Sequence, residues 1–397
     1  MQLNMQTNKR FWRNAVSSFV TLAGLAALVA IAPRLYKSPP FRFPAMMTSL
    51  MSSRAVLFNP GVNGYYEQLF GTDTDPMFMN EKEYERWSKG FRDRTYERSF
   101  RLFRFRPNLR GLRDRTEPQG LTTNSFGFLG PERSLQKPPN TRRVALLGDS
   151  MAQGWGTDQN LSWVSLFEKR LNETQAGGMA QRFEVLNFAL PGCLLTQMLD
   201  VAEEDAPRFE PDVYVLALTE FSVHRNWAQH FVRLIQLDID PKYDFLRDVV
   251  SKANEDKTDT PLALLAKLAP YRIPVIRATL AKMKSHSEHE HVPFLVILIP
   301  SLEDGGQSRN RFAGIQELLA SLDIPTIDLL DTFDGIWDLN SLRIDPADVH
   351  PNAKGHAMIL ENLYRKLRAQ PKVWNALIDT GAGHMQPPGD FSTNKTF

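Results

Sequence analysis

Cysteine is almost absent from this chain: Cys193 is the only one in 397 residues. No intrachain disulfide can form, so the fold must be held by its core. The lone thiol leaves the redox compartment open. Charge of one sign is missing too. The 47 Lys and Arg are matched by 45 Asp and Glu, a net charge of +2. That balance excludes recruitment of a nucleic acid by bulk charge. No Gly-rich phosphate-binding loop occurs, which removes the familiar nucleotide-binding signatures. Long uncharged runs are scarce, and the one that exists lies near the N-terminus. What remains is ordinary for a globular protein with a sizeable core, 42% hydrophobic and 23% charged. The length accommodates one large domain or two smaller ones.

The uncharged run is Ala15–Ala32, AVSSFVTLAGLAALVAIA. Lys9, Arg10 and Arg13 precede it, and Arg34 and Lys37 follow. At a rise of ~1.5 Å per residue it nearly spans a bilayer core once flanking residues snorkel. A cleaved signal peptide is the rival reading, because Ala30-Ile31-Ala32 resembles a small-x-small cleavage site. Pro33, just after that site, favours an uncleaved transmembrane helix. The short basic N-terminal tail then places the remaining chain outside the cytoplasm. Residues 1–37 are read as this membrane anchor.

Residues 38–140 begin with a Pro-, Ser- and Met-rich tether and continue into an aromatic, Arg-rich extension. Nine arginines fall within Arg92–Arg115, interleaved with Phe100, Phe103 and Phe105. The piece RLFRFRP alternates as a half-exposed strand should. Two readings stand: a surface for an anionic polymer or lipid headgroups, or an edge strand with a solvated basic face. Glu97, Asp93 and Asp114 dilute the charge and favour the second.

From residue 142 the pattern changes. Short apolar runs at Val144–Leu147, Phe183–Phe188, Asp212–Leu218, Phe294–Ile299 and Thr326–Leu330 read as five buried strands. Helices are expected near Trp163–Leu171, Leu195–Glu204, Phe312–Leu322 and Lys354–Leu367. Strands alternating with helices predict an α/β domain with a five-stranded parallel sheet between two helical layers. It is bounded at residues 141–370. A helical insertion over 228–290 separates the third and fourth strands and is a candidate lid. Residues 371–397 are read as a flexible tail.

In an open parallel sheet the working crevice lies beyond the carboxyl ends of the strands. Three short stretches fall there. Gly148-Asp149-Ser150 ends the first strand, Pro191-Gly192 follows the second, and Asp345-Pro-Ala-Asp348-Val-His350-Pro-Asn follows the fifth. Together, and in this order, they resemble the SGNH (GDSL-type) hydrolase family over about residues 120–370. Asn187 precedes the second block, in VLNFALPG. The stretch TNSFGFLGPERSLQKPP before the first strand is similar to a bacterial, membrane-anchored subgroup associated with surface polysaccharide.

The resemblance implies a flavodoxin-like SGNH fold and a serine esterase acting without cofactor or metal. Its substrate would be an ester, an acylated carbohydrate above all, and its partner the membrane rather than nucleic acid. Ser150 would be the nucleophile, activated by His350 as base. Asp348 would orient the imidazole, with Asp345 as the alternative, because the position three before His350 is Ala347. The backbone N–H groups of Ser150 and Gly192 would bind the oxyanion.

Taken alone, Ser150 also suits a helix N-cap. His356, six residues after His350, reads as a packing or capping residue, and Cys193 as a small buried one. The family's third block, Gly-x-Asn-Asp, is missing. The third strand runs instead into Leu218-Thr219-Glu220-Phe221-Ser222-Val223-His224-Arg225-Asn226. Thr219, nearest to the strand end, is the first choice for the missing oxyanion donor, ahead of Ser222 and Asn226. His286, His289 and His291 are spaced as metal ligands sometimes are, but read better as a polar connector before the fourth strand.

Overall fold

Five apolar strands pair in parallel in the computed structural model, which describes residues 94–110, 122–175, 182–225, 227–253, 259–302, 307–346 and 348–378. All of these belong to the unit Gly61–Phe397. Ala15–Ala32 and the tether lie outside the described residues. Among the described residues, no helix is long and apolar enough to cross a membrane.

A hairpin of β1 (Arg94–Tyr96) and β2 (Phe103–Phe105) comes first. The sheet is built from β3 (Thr141–Gly148), β4 (Arg182–Asn187), β5 (Val213–Leu218), β6 (Phe294–Leu298) and β7 (Thr326–Asp328), in the order β4-β3-β5-β6-β7. A second hairpin follows, β8 (Arg343–Asp345) with β9 (Asp348–Pro351). The sheet strands read as continuous apolar runs because both faces are covered. Val144 and Leu146 of β3 join one core cluster, Ala145 and Leu147 the other. The same alternation holds in β5, where Val213 and Val215 oppose Tyr214 and Leu216.

On the Val144 face lie α1 (Ser150–Gln153), α2 (Trp163–Gln175), and two helices near the C-terminus, introduced below. On the Ala145 face lie α3 (Leu195–Glu204), α4 (Gln229–Gln236), α5 (Asp244–Ala253), α6 (Pro261–Leu268), α7 (Arg272–His289) and α8 (Gln307–Ser321). The helices α9 (Ala353–Arg368) and α10 (Pro371–Ile378) complete the chain.

Three expectations are corrected. The insertion over 228–290 is helical, but Phe231, Leu246, Leu264 and Leu280 share one core cluster with the sheet residues Leu147 and Leu216. It is packed as a layer against the sheet, where the sequence offered a candidate lid. The tail does not begin at 371: α10 buries Trp374 and Leu377, and Arg142 of β3 donates to the carbonyl groups of Leu377 (2.5 Å) and Ala376. Nor is residue 140 a structural boundary. Phe100, Leu102, Phe103, Phe105 and Leu129 belong to the main core, and Leu129 bridges to Asn187.

The Arg-rich segment splits its arginines between two environments. Arg104 is exposed and pairs with Glu97, as an edge strand with a solvated face requires. Arg101 is buried instead. Its guanidinium donates to Asp200 (2.6 and 2.8 Å) and Asp205 on and just after α3, and Lys242 pairs with the same Asp200. Arg98 donates to the carbonyl of Leu237 at 2.6 Å. The bend before β2 is thus clamped between α3 and the insertion.

Candidate active site

The strand order reverses between β3 and β5, and in such a sheet that point opens the crevice. β3 ends there in a turn with no room for a side chain. A Cβ on Gly148 would lie 2.4 Å from Ala152 Cβ and 3.1 Å from the Ala217 carbonyl oxygen. Asp149 is the N-cap of α1, its Oδ1 accepting from the Met151 amide at 3.0 Å. Ser150 is therefore not the cap: it is the first helical residue, and its hydroxyl is free for other work. Gly154, at a φ of 90°, ends α1 after one turn. Trp163 of α2 donates from Nε1 to the Met151 carbonyl at 3.0 Å and fixes this turn from below.

His350 arrives from 200 residues away on β9. Successive side chains on a strand point to opposite faces, so residues two apart share one. Asp348 and His350 are both buried on the same face of β9, while Val349 between them is half-buried. The two-residue spacing thus brings carboxylate and imidazole together. Asp348 Oδ1 accepts from His350 Nδ1 at 2.6 Å and from the His350 backbone amide at 2.9 Å. With the proton on Nδ1, Nε2 is left to accept from Ser150 Oγ, 2.6 Å away. Asp345 pairs with Asp348 in the β8–β9 ladder and is exposed, so the carboxylate against His350 is that of Asp348. Ser150, His350 and Asp348 are 8%, 4% and 5% exposed.

Of the expected oxyanion elements, the loop carrying Gly192 lies beside the nucleophile turn and Thr219 departs from expectation. Phe188 N and Leu190 N donate to the carbonyl oxygens of Leu146 and Gly148, so the chain after β4 runs beside the nucleophile turn. It then turns tightly, with Cys193 N bonded to Leu190 O and Gly192 at a φ of 70°. Asn187 shapes this loop, its Oδ1 accepting from Ala189 N at 3.1 Å. Cys193 is buried. Thr219 is not the free donor expected: it is buried and its hydroxyl donates to Asp149 Oδ2. Ser222, within the π-helical turn Phe221–Arg225, directs its hydroxyl to the Cys193 carbonyl at 3.5 Å. Asn226 lies outside the described residues.

Several residues at the site were not legible beforehand. Trp155 packs with its ring centroid 6.4 Å from that of His350. Asn352 caps α9 through Lys354 N and Gly355 N, and its amide donates to the carbonyls of Ser341 and Arg343 at 3.0 Å. One side chain thereby ties the β8–β9 hairpin to the helix behind it; an Asn before a helix was the only signal. His356 is fully buried on α9, and desolvation, with the nearby His350, lowers its pKa to about 3. It stays neutral and packs. His286 is set against Tyr214 at 3.4 Å, and among the described residues no group of three or more His, Cys, Asp or Glu is placed to hold a metal.

No protein-family profile matches the chain, and no curated protein does. Solved structures overlap it in part. TesA is 15% identical, with a TM-score of 0.38 over 57% of this chain and 99% of its own. The psychrotrophic esterase EstA from Pseudoalteromonas sp. is 12% identical, with a TM-score of 0.38 over 58% of this chain and 99% of its own. A two-domain esterase active on acetylated mannans is 14% identical, with a TM-score of 0.38 over 58% of this chain and 49% of its own.

Proposed function

We propose that this chain is a serine esterase of the SGNH type, which removes or transfers small acyl groups. The observation that carries this reading is the unbroken line of hydrogen bonds from Asp348 through His350 to Ser150. Ser150 Oγ attacks the ester carbonyl while His350 Nε2 takes its proton. Asp348, facing Nδ1, holds the ring and stabilises the imidazolium. Backbone amides of Ser150 and Gly192 receive the charge that develops on the carbonyl oxygen. Collapse breaks the ester C–O bond, and His350 returns the proton to the departing alcohol. An acyl-Ser150 intermediate remains. A second hydroxyl, from water or a sugar, then attacks it with His350 again as base.

The substrate in this proposal is an O-acetylated carbohydrate outside the cytoplasm. The stretch Thr123–Pro139 and the apolar run Ala15–Ala32 support it, the second as an anchor that tethers the enzyme to the membrane. Acetate release from an acetylated polysaccharide, measured with and without a glycan acceptor, separates hydrolysis from transfer. Loss of both products in Ser150→Ala is the expected result; full activity in that variant refutes the assignment.

A second reading is favoured by one observation, the Thr219 hydroxyl bound to Asp149 where a third oxyanion donor was expected. The chain would then be a carbohydrate-binding or assembly subunit that kept the fold. Glycan binding unchanged by Ser150→Ala, with no turnover, is its signature. A lipid acyl hydrolase would instead prefer long acyl chains to acetate.

A further inference from the structure

The end of β5 faces the nucleophile turn, and one side chain joins them. Thr219 donates to Asp149 Oδ2, while Asp149 Oδ1 holds the Met151 amide. Both residues are buried, at 4% and 1% exposure. A threonine hydroxyl has one proton. Given to a carboxylate, it is not available to an oxyanion. On the other side of Thr219, Glu220 pairs with Arg311 of α8 and fixes the strand end against movement.

We propose that Thr219 is a positioning residue: its hydroxyl braces Asp149, the cap of α1, and so sets where Ser150 stands, leaving a two-amide oxyanion hole at Ser150 and Gly192. This rests on the esterase reading and deepens it.

The physical case is that Asp149 is a carboxylate almost without solvent. Such a group needs donors, and here they are the first-turn amides of Met151 and Ala152 and, as the side-chain donor, the Thr219 hydroxyl. Burial raises the Asp149 pKa, and the Thr219 bond works against that rise. If the hydroxyl is removed, the carboxylate either takes up a proton or turns toward another donor. Either change loosens its grip on α1, whose single turn carries Ser150 at its first position. The missing third-block asparagine is therefore not replaced in function by Thr219.

The test is a double-mutant cycle on the full chain, using Thr219→Val, Asp149→Ala and the pair, with hydrolysis of p-nitrophenyl acetate as the assay. Thr219→Val is expected to lower kcat on the order of 10²-fold with KM little changed, since small misplacements of a nucleophile cost that much. In the Asp149→Ala background the same change should cost almost nothing further, because the bond is already gone. Thr219→Ser, which keeps the donor, should restore most of the rate. A Thr219→Val loss that multiplies undiminished onto Asp149→Ala would overturn the proposal, because a direct oxyanion donor does not act through Asp149.

Thermal stability supplies a second arm that needs no turnover. Thr219→Val should lower Tm by several degrees in the wild-type background and not in Asp149→Ala. An unchanged or raised Tm in the wild-type background would also overturn it. If the chain binds glycan without turnover, the esterase reading fails, and this arm still decides whether Thr219 braces Asp149. If Asp149→Ala does not fold, Asp149→Ser takes its place, since its hydroxyl can still cap Met151 but is too short to reach Thr219.

Discussion

His350 is useful only because Asp348 sits two residues before it on a strand. On a helix or in an open loop the same spacing would point the two side chains apart. The carboxylate fixes the imidazole by two bonds to one oxygen, to Nδ1 and to the backbone amide. Asp348→Asn keeps the shape and loses the tautomer, so kcat is expected to fall by about 10³–10⁴. Asp345→Asn, on the exposed neighbouring strand, should stay within about threefold of wild type, as surface changes away from the chemistry do. Steady-state rates on p-nitrophenyl acetate check both, and equal losses would mean that the two carboxylates act together. Ser150, His350 and the choice of Asp348 over Asp345 were legible as residue types in order along the chain. The partner of Thr219 was not, because Asp149 and Thr219 are 70 residues apart and nothing local links them. Trp155 was hidden for a related reason: a buried aromatic near the site looks like any core residue in a sequence, whereas His356 was legible as a packing residue.

At the scale of elements, the five sheet strands and the helices α2, α3, α8 and α9 could be read from apolar runs, with ends shifted by a few residues. The β8–β9 hairpin could not. Its strands are three and four residues long, it is built around Pro346, and it carries charges on both strands. Such a piece has no periodicity to detect. The Arg-rich segment misled differently. Its charges suggested a solvated face, yet Arg101 is drawn inside by Asp200 and Asp205, whose proximity only the tertiary fold creates. Arg101→Ala leaves two buried carboxylates without that partner and should cost roughly 3–5 kcal/mol, read from urea unfolding. Arg104→Ala, at an exposed pair, should cost no more than about 1 kcal/mol. Similar costs at the two positions would mean that the clamp between the hairpin and α3 contributes no more than a surface pair.

For the whole molecule, two buried imidazoles tie stability to pH. Burial lowers the pKa of His230 to about 4, where its ring lies between Thr196 and the Phe100 carbonyl, and that of His356 to about 3. Unfolded, each binds a proton near pH ~6.5. Below that value the unfolded state takes up protons that the folded state refuses, so stability falls with pH. Above it, the full contribution is present. Each ring contributes a slope of about 1 kcal/mol per pH unit between pH ~6.5 and its folded value. His356→Leu should flatten the fall between pH 6.5 and 4.5 by that much relative to wild type. Parallel curves for the two proteins would show that His356 is not buried as a neutral ring.

The central claim is that this fold holds an activated serine. Intact-mass analysis of the full chain after treatment with a fluorophosphonate probe tests it most directly, with Ser150→Ala and His350→Ala beside it. The account predicts one adduct on the wild type and none on either variant. A folded wild type that takes no adduct, or an adduct that survives Ser150→Ala, would contradict it.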